Sequence, residues 1–423
     1  MLRKIYLKAA MTLALAIFAA ASAWAAPKYK VIYTFKGGKD GALPIGGVVF
    51  DKRGNLYGTT AEGGRGCPPT GCGTVFKLTR DHSGKWTKNA LHFFSGSDGS
   101  SPQVSLVFDE NGNLYGTTMG GGIKGSCAGP GCGVVFKLAT DSGGGWKETV
   151  LHRFAGGDDG SFSFGSVLLD GKGNVFGSAE HGGGSFDDGT VYELSPTGGR
   201  WTEQILHSFT GTDGAAPYNL VFDATGKIYS VAGYFGEYGA GVAFELSPTS
   251  GGTWNDTTIY NFQGVPDGAL PTSGLTFHGP NLFGTTDAGG DGFGTVFELK
   301  PDGKGGWAEN VIHRFEGRKK GSDPGGPLVF DKAGNLYGDS GGTASCTKRV
   351  GACGDLFELT PASGGTWKLR ILYTFAGGKD GAFPGGLSSD DKGNFYGIAA
   401  GGGNLQCPGW VGSGCGVVFE ITP

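Results

Sequence analysis

Asp109-Glu110-Asn111-Gly112-Asn113-Leu114-Tyr115-Gly116-Thr117-Thr118, then Gly133-Val134-Val135-Phe136-Lys137-Leu138, then Trp146, and last Val150-Leu151-His152-Arg153-Phe154, is the stretch that decides the fold, because the chain writes it seven times. In this copy Val104 to Phe108 alternates as a strand, and Asp109 to Asn113 is a tight hairpin. There the Asp carboxylate accepts backbone N–H bonds and Gly112 supplies the positive φ. Leu114 to Thr118 reads as a second strand, Gly133 to Leu138 as a third and Val150 to Phe154 as a fourth. The Tyr/Phe-Gly position recurs at Gly58, Gly116, Gly177, Gly284, Gly338 and Gly397, with Ser230 as the fourth member, at spacings of 53 to 61 residues. That length holds four short strands and no helix, so the expected fold is all-β: a seven-bladed β-propeller of four-stranded blades.

The spacing from Trp to Phe is eight residues in all six internal copies, Trp86/Phe94, Trp146/Phe154, Trp201/Phe209, Trp254/Phe262, Trp307/Phe315 and Trp367/Phe375. Such constancy predicts a packed strand with each ring against its own blade. The seventh copy stops after a third strand, Val417 to Ile421, while Val31-Ile32-Tyr33-Thr34-Phe35 matches Ile371-Leu372-Tyr373-Thr374-Phe375. The N-terminal strand is therefore expected to complete the last blade, closing the ring and hiding both sheet edges.

The first residues have the layout of a signal peptide over 1–25: Arg3, Lys4 and Lys8, an apolar run from Ala9 to Ala21, then Ala23-Trp24-Ala25. Residues 26–423 follow as a single propeller domain. The apolar run is too short for a comfortable membrane span, so the mature protein is read as soluble, exported to the periplasm or beyond, and monomeric. Without the leader the charge is about −7, from 31 basic against 38 acidic residues, which argues against nucleic acid as a partner. Eight cysteines fall as four local pairs just before the third strand: Cys67 with Cys72, Cys127 with Cys132, Cys346 with Cys353 and Cys407 with Cys415. Even counts and tight pairing in an exported chain read as disulfides. Zinc is the rival, but no pair has a neighbouring His and the spacings are not zinc-knuckle ones.

Leu56-Tyr57-Gly58-Thr59-Thr60 with Gly73-Thr74-Val75-Phe76, and Leu282-Phe283-Gly284-Thr285-Thr286 with Gly294-Thr295-Val296-Phe297, resemble the repeat of the bacterial GloVer-type tandem-repeat proteins. The resemblance runs from about Tyr29 to Pro423 and implies a secreted or surface protein without assigning it an activity. The D-x-x-G-N turns are also similar to those of NHL and lactonase-type propellers.

The copies serve as an internal comparison: positions that recur serve the blade, and positions that differ are candidates for a ligand. His92, His152, His207 and His313 share a fourth-strand slot with Tyr33, Tyr260 and Tyr373, which marks the slot as structural. The Asp of the connection between blades (Asp40, Asp98, Asp159, Asp213, Asp267, Asp380) reads as a turn residue, with a calcium ring as the alternative. No cofactor and no other metal is expected. Propeller topology puts the disulfide loops and the blade-to-blade connections on one face, with the stapled blades six, seven, one and two raised above blades three to five. On this face Arg318, Lys319, Lys320, Lys348 and Arg349 form a candidate anion patch. Across the ring, blade three gathers Asp158, Asp159, Glu180, Asp187 and Asp188 around His181. Trp410, Tyr234, Phe235 and Tyr238 are aromatic departures suited to sugar faces. Glu62, Glu180, His181 and Asp287, at near-equivalent loop positions, are the weak candidates for acid/base or metal work.

No nucleophile motif is present, and Ser and His fall mostly in repeated slots, so no catalytic residue is assigned. The leading expectation is a binding or scaffold propeller for a polysaccharide or cell-envelope component. The alternatives are an extracellular propeller enzyme, lactonase-like hydrolase or lyase, with its site at the channel mouth, and a purely structural envelope protein.

Overall fold

The computed structural model describes residues 26–123, 127, 129, 131–317, 321–342, 353–407 and 414–423. Seven antiparallel sheets of four to five strands form the blades of a propeller, each following the last in sequence. The ring closes as the ends of the chain predict. Lys28–Thr34 pairs with Val417–Thr422 as the outer strand of blade seven, from Lys28 opposite Thr422 to Thr34 opposite Val417 with a one-residue bulge between Val31 and Tyr33. Tyr29 secures it by stacking on Tyr373 of blade six at 3.8 Å. Among the described residues no helix is long and apolar enough to cross a membrane.

Each repeated residue has a visible task. The hairpin carboxylate of Asp51 accepts the N–H groups of Arg53 and Asn55 on one oxygen and the Asn55 amide and Tyr57 hydroxyl on the other. The Tyr/Phe-Gly glycine lies opposite the third-strand aromatic, Gly58 facing Phe76 and Gly116 facing Phe136. A Cβ at Gly116 would stand 2.8 Å from the Phe136 ring, so the slot stays bare to let the ring lie across it. That ring in turn meets the fourth-strand Phe of the preceding blade. Seven such edge contacts, Phe35–Phe76, Phe94–Phe136, Phe154–Tyr192, Phe209–Phe244, Phe262–Phe297, Phe315–Phe357 and Phe375–Phe419, run once around the ring at centroid distances of 5.0 to 5.6 Å. All seven fourth-strand Phe rings are at most 1% exposed, and these seams are where the core sits.

The tryptophans go further than the expectation made for them. Trp146 meets Tyr57 of blade one, Trp254 meets Phe176 of blade three and Trp86 meets Tyr396 of blade seven, so the ring reaches the preceding blade as well as packing with the core of its own. Trp opens its strand, Trp146–Arg153 in blade two. The inner strands differ from expectation. Val104 to Phe108 shortens to Val107–Phe108, and each blade is entered through a left-handed, non-glycine residue. Leu43, Ser101, Phe162, Ala216, Leu270, Asp323 and Phe383 all have φ between 48° and 57°. The backbone N–H of each donates to a carbonyl of the previous blade, as Ser101 does to Cys72 at 2.8 Å, which holds an otherwise unfavourable conformation.

The His/Tyr slot and the connecting Asp explain one another. His92 Nε2 lies 3.1 Å from Asp98, His207 Nε2 lies 2.9 Å from Asp213, and the Tyr33 and Tyr260 hydroxyls donate to Asp40 and Asp267 at 2.7 and 3.0 Å. The same carboxylates accept N–H groups from Ser95, Thr210, Lys36 and Gln263. Either side chain supplies a hydrogen at one place, so the two interchange, and the Asp works as a turn residue.

These groups set the pH response. Burial by itself pushes the Asp51 carboxyl up, but the bonds from Asn55, Arg53 and Tyr57 outweigh it and hold the group low, and Asp109, Asp223 and Asp331 behave alike. A depressed folded pKa contributes stability above the ordinary carboxylate range that is lost as pH falls through the folded value. Burial raises Glu148, Glu309 and Asp339 to about 7, and these contribute the opposite limb, with stability falling as pH rises from the ordinary value through about 7. The melting temperature is therefore expected to peak at mildly acidic pH, roughly 4 to 6, and fall on both sides. A flat profile from about pH 5 to 8 would contradict this assignment.

Candidate functional site on the loop face and channel

Disulfides Cys67–Cys72, Cys127–Cys132 and Cys407–Cys415 staple the loops of blades one, two and seven. For the fourth pair, Cys346 lies outside the described residues. Between blades seven and one the mouth of the ring is apolar, where Leu43, Ala61 and Ala400 pack with Ile45 and Phe383.

The opposite side is polar and aromatic. In blade four the second strand, Ile228–Tyr234, runs two residues longer than the Leu114–Thr118 strand of blade two and ends in a tight loop. Tyr234, Phe235 and Tyr238 project from it, 45%, 52% and 54% exposed. The loop is pinned from several directions: Gly236 N–H donates to Gly211, Glu237 N–H to the Asn261 side chain, and Gly241 N–H to Phe235. Phe186 of blade three and Phe293 of blade five are also exposed on the second-to-third-strand loops either side, two rings the sequence comparison passed over.

Inside the ring a cavity of about 470 Å³ is lined by the inner segments, among them Ile45, Gln103, Phe164, Asn219, Gly326 and Gly385. Among the described residues one titratable residue borders it, Asp339, in the second strand Leu336–Ser340 of blade six. Asp339 was open to discovery from sequence: Leu336-Tyr337-Gly338-Asp339-Ser340 stands where other copies read L-Y-G-T-T. Two residues further along the same side of this strand is the slot that Glu180 and Asp287 fill in blades three and five. Burial raises both carboxyls, and Asp323, at the entrance to blade six, adds to the effect on Asp287. Tyr218, at the entrance to blade four, has its hydroxyl pushed up by burial and then by Tyr234, Glu180 and Asp287.

The sequence candidates thus separate. Glu180 and Asp287 both act on the Tyr218 hydroxyl and raise it. Glu62 belongs to blade one, where its backbone pairs with Ala42 and burial raises its carboxyl. His181 faces Asp187 at 3.4 Å and the Phe162 ring. The blade-three acidic group is split, since Asp159 faces His152 in a seam and Asp187 accepts the Gly182 N–H. Arg318, Lys319, Lys320, Lys348, Arg349 and Trp410 lie outside the described residues.

With seven blades built from one repeat, the sequence family can be stated. The chain matches the Gloeobacter/Verrucomicrobia repeat over residues 17–204 and 167–411. It belongs to that family. No curated protein matches it. Among solved structures it is similar to a Dyadobacter fermentans protein of unknown function, at 11% identity and a TM-score of 0.46, covering 94% of this chain and 100% of that one. It is also similar to a periplasmic gluconolactonase of Pseudomonas aeruginosa, at 14% identity and a TM-score of 0.49, covering 78% of this chain and 88% of that one. No chemistry is carried across from either. Within the repeat family fold, the departures from the repeat remain the guide to function.

Proposed function

We propose that this is an exported binding propeller that recognises a polysaccharide or another glycan of the cell envelope on its loop face. The observation that carries the reading is the trio Tyr234, Phe235 and Tyr238, about half exposed on a loop pinned by backbone and side-chain bonds. Aromatic rings held rigid lose little entropy on binding and present flat apolar faces with a polar rim, which suits the C–H faces of sugars. Phe186 and Phe293 extend the aromatic surface toward blades three and five. Local disulfides are at home in an oxidising compartment outside the cytoplasm.

The test is a glycan array read with the chain from Ala26 to Pro423 and with a Tyr234→Ala/Tyr238→Ala variant. The parent is expected to retain a polysaccharide class that the variant binds about tenfold or more weakly, with equal melting temperatures. Failure of the parent to bind any polysaccharide, or equal binding by the variant, would overturn the proposal.

A further inference from the structure

We propose that the axial channel is a binding site for a small polar ligand carrying one primary ammonium group, an amino sugar in size and chemistry, held by Asp339 on the wall of blade six. The site is distinct from the aromatic loop of blade four.

The slot that Asp339 occupies holds Thr59, Thr117, Ser178, Val231, Thr285 and Ile398 in the other blades. Three of those hydroxyls donate to the inner segment of the next blade: Thr59 to the Val104 carbonyl at 3.3 Å, Thr117 to Ser163 at 3.2 Å and Ser178 to Tyr218 at 2.9 Å. Asp339 Oδ2 makes no such bond to blade seven, so Asp339 does not repeat the hydroxyl contact of its slot. It is 6% exposed; the Gly326 backbone N–H favours its ionised form against the effect of burial, and its Oδ2 has no hydrogen-bond partner. A buried carboxyl oxygen without a partner costs stability, a cost that a ligand in the cavity would offset.

The surroundings indicate the ligand. Gly46-Gly47, Gly325-Gly326 and Gly385-Gly386 leave the channel wall of blades one, six and seven as bare backbone. A Cβ at Gly326 would stand 2.0 Å from Asp339 Oδ2, so only a glycine lets the carboxyl sit there. No Lys or Arg is among the described residues lining the cavity, so Asp339 supplies the charge of its described lining. The field favours a cation. A volume of about 470 Å³ suits a small organic molecule, whereas calcium takes about six to eight oxygen ligands and only one carboxylate borders the cavity. One carboxylate matches one ammonium.

Burial keeps Asp339 protonated up to about pH 7. An ammonium ligand pairs with the ionised form, so binding expels the proton and affinity rises as pH approaches 7 from below. The test is calorimetric titration of the Ala26–Pro423 protein with glucosamine, with glucose as its uncharged counterpart and calcium chloride as a separate probe. Glucosamine is expected to bind at about pH 7 and about tenfold more weakly at about pH 5.5, with glucose and calcium showing no binding. Asp339→Asn, and Asp339→Thr, which restores the residue of the sister slots, should abolish binding while melting at or above the parent's temperature. Tyr234→Ala/Tyr238→Ala should leave it unchanged, which separates this site from the loop-face reading. No glucosamine binding by the parent, equal binding of glucose, binding of calcium in its place, or full affinity in Asp339→Asn would each overturn the proposal.

Discussion

Deleting Tyr29 to Phe35 is expected to leave a chain that no longer folds cooperatively and that aggregates on expression. The segment supplies most of the outer strand of blade seven, whose partner Val417–Thr422 would become an unpaired edge, a template for intermolecular pairing. It also carries Phe35, fully buried against Phe76 of blade one, and Tyr29, which touches Tyr373, Phe375 and Phe419. Losing the buried Phe35 ring alone costs about 3–5 kcal/mol, and the partly buried Tyr29 and the strand pairing add to it, against a whole-domain stability of about 5–15 kcal/mol. Circular dichroism melting and size-exclusion chromatography of a chain starting after Phe35 provide the check. A soluble monomer with the parent's melting temperature would mean that the terminal strand does not hold the ring closed.

Phe94→Ala should be the most damaging single truncation in a blade seam, at about 3–5 kcal/mol. Its ring is fully buried, lies 5.2 Å from Phe136 across the seam, and packs in a cluster with Val75 and Val134 from both blades. Rigid sheets on both sides limit collapse into the cavity, so both the transfer and the cavity contributions are lost. Trp146→Ala, whose ring is only partly buried at the rim, should cost less. Urea unfolding of the two variants measures the difference. A cost below about 1 kcal/mol for Phe94→Ala would show that the seams are not the core of the fold.

Blade number, strand order and closure were legible because a propeller repeats its local chemistry. A D-x-x-G-N turn is a turn in any context, and the match of Val31 to Phe35 with Ile371 to Phe375 needs no structure to see. What escaped reading depends on the neighbouring blade. Constant Trp spacing says that the ring packs, but only the ring geometry shows Trp146 reaching Tyr57 of blade one. The left-handed bend at Ser101 is stabilised by the Cys72 carbonyl, a partner no local pattern reveals, and the inner strand looked longer than it is. The loop aromatics Tyr234, Phe235 and Tyr238 stood out because they replace small residues in a variable loop. Asp339 stood in a strand taken as scaffold, and its meaning comes from burial and a missing partner, which are properties of three dimensions.

The proposed glycan-binding surface lies on one face of the ring. Hydrogen–deuterium exchange of the Ala26–Pro423 protein, with and without the polysaccharide it retains best on the array, tests that assignment most directly. Protection is expected over residues 233–241 of blade four and the flanking loops around Phe186 and Phe293, with the hairpins at Asp51, Asp109 and Asp170 on the other face unchanged. Protection confined to those hairpins, with the blade-four loop exchanging as in the free protein, would contradict it.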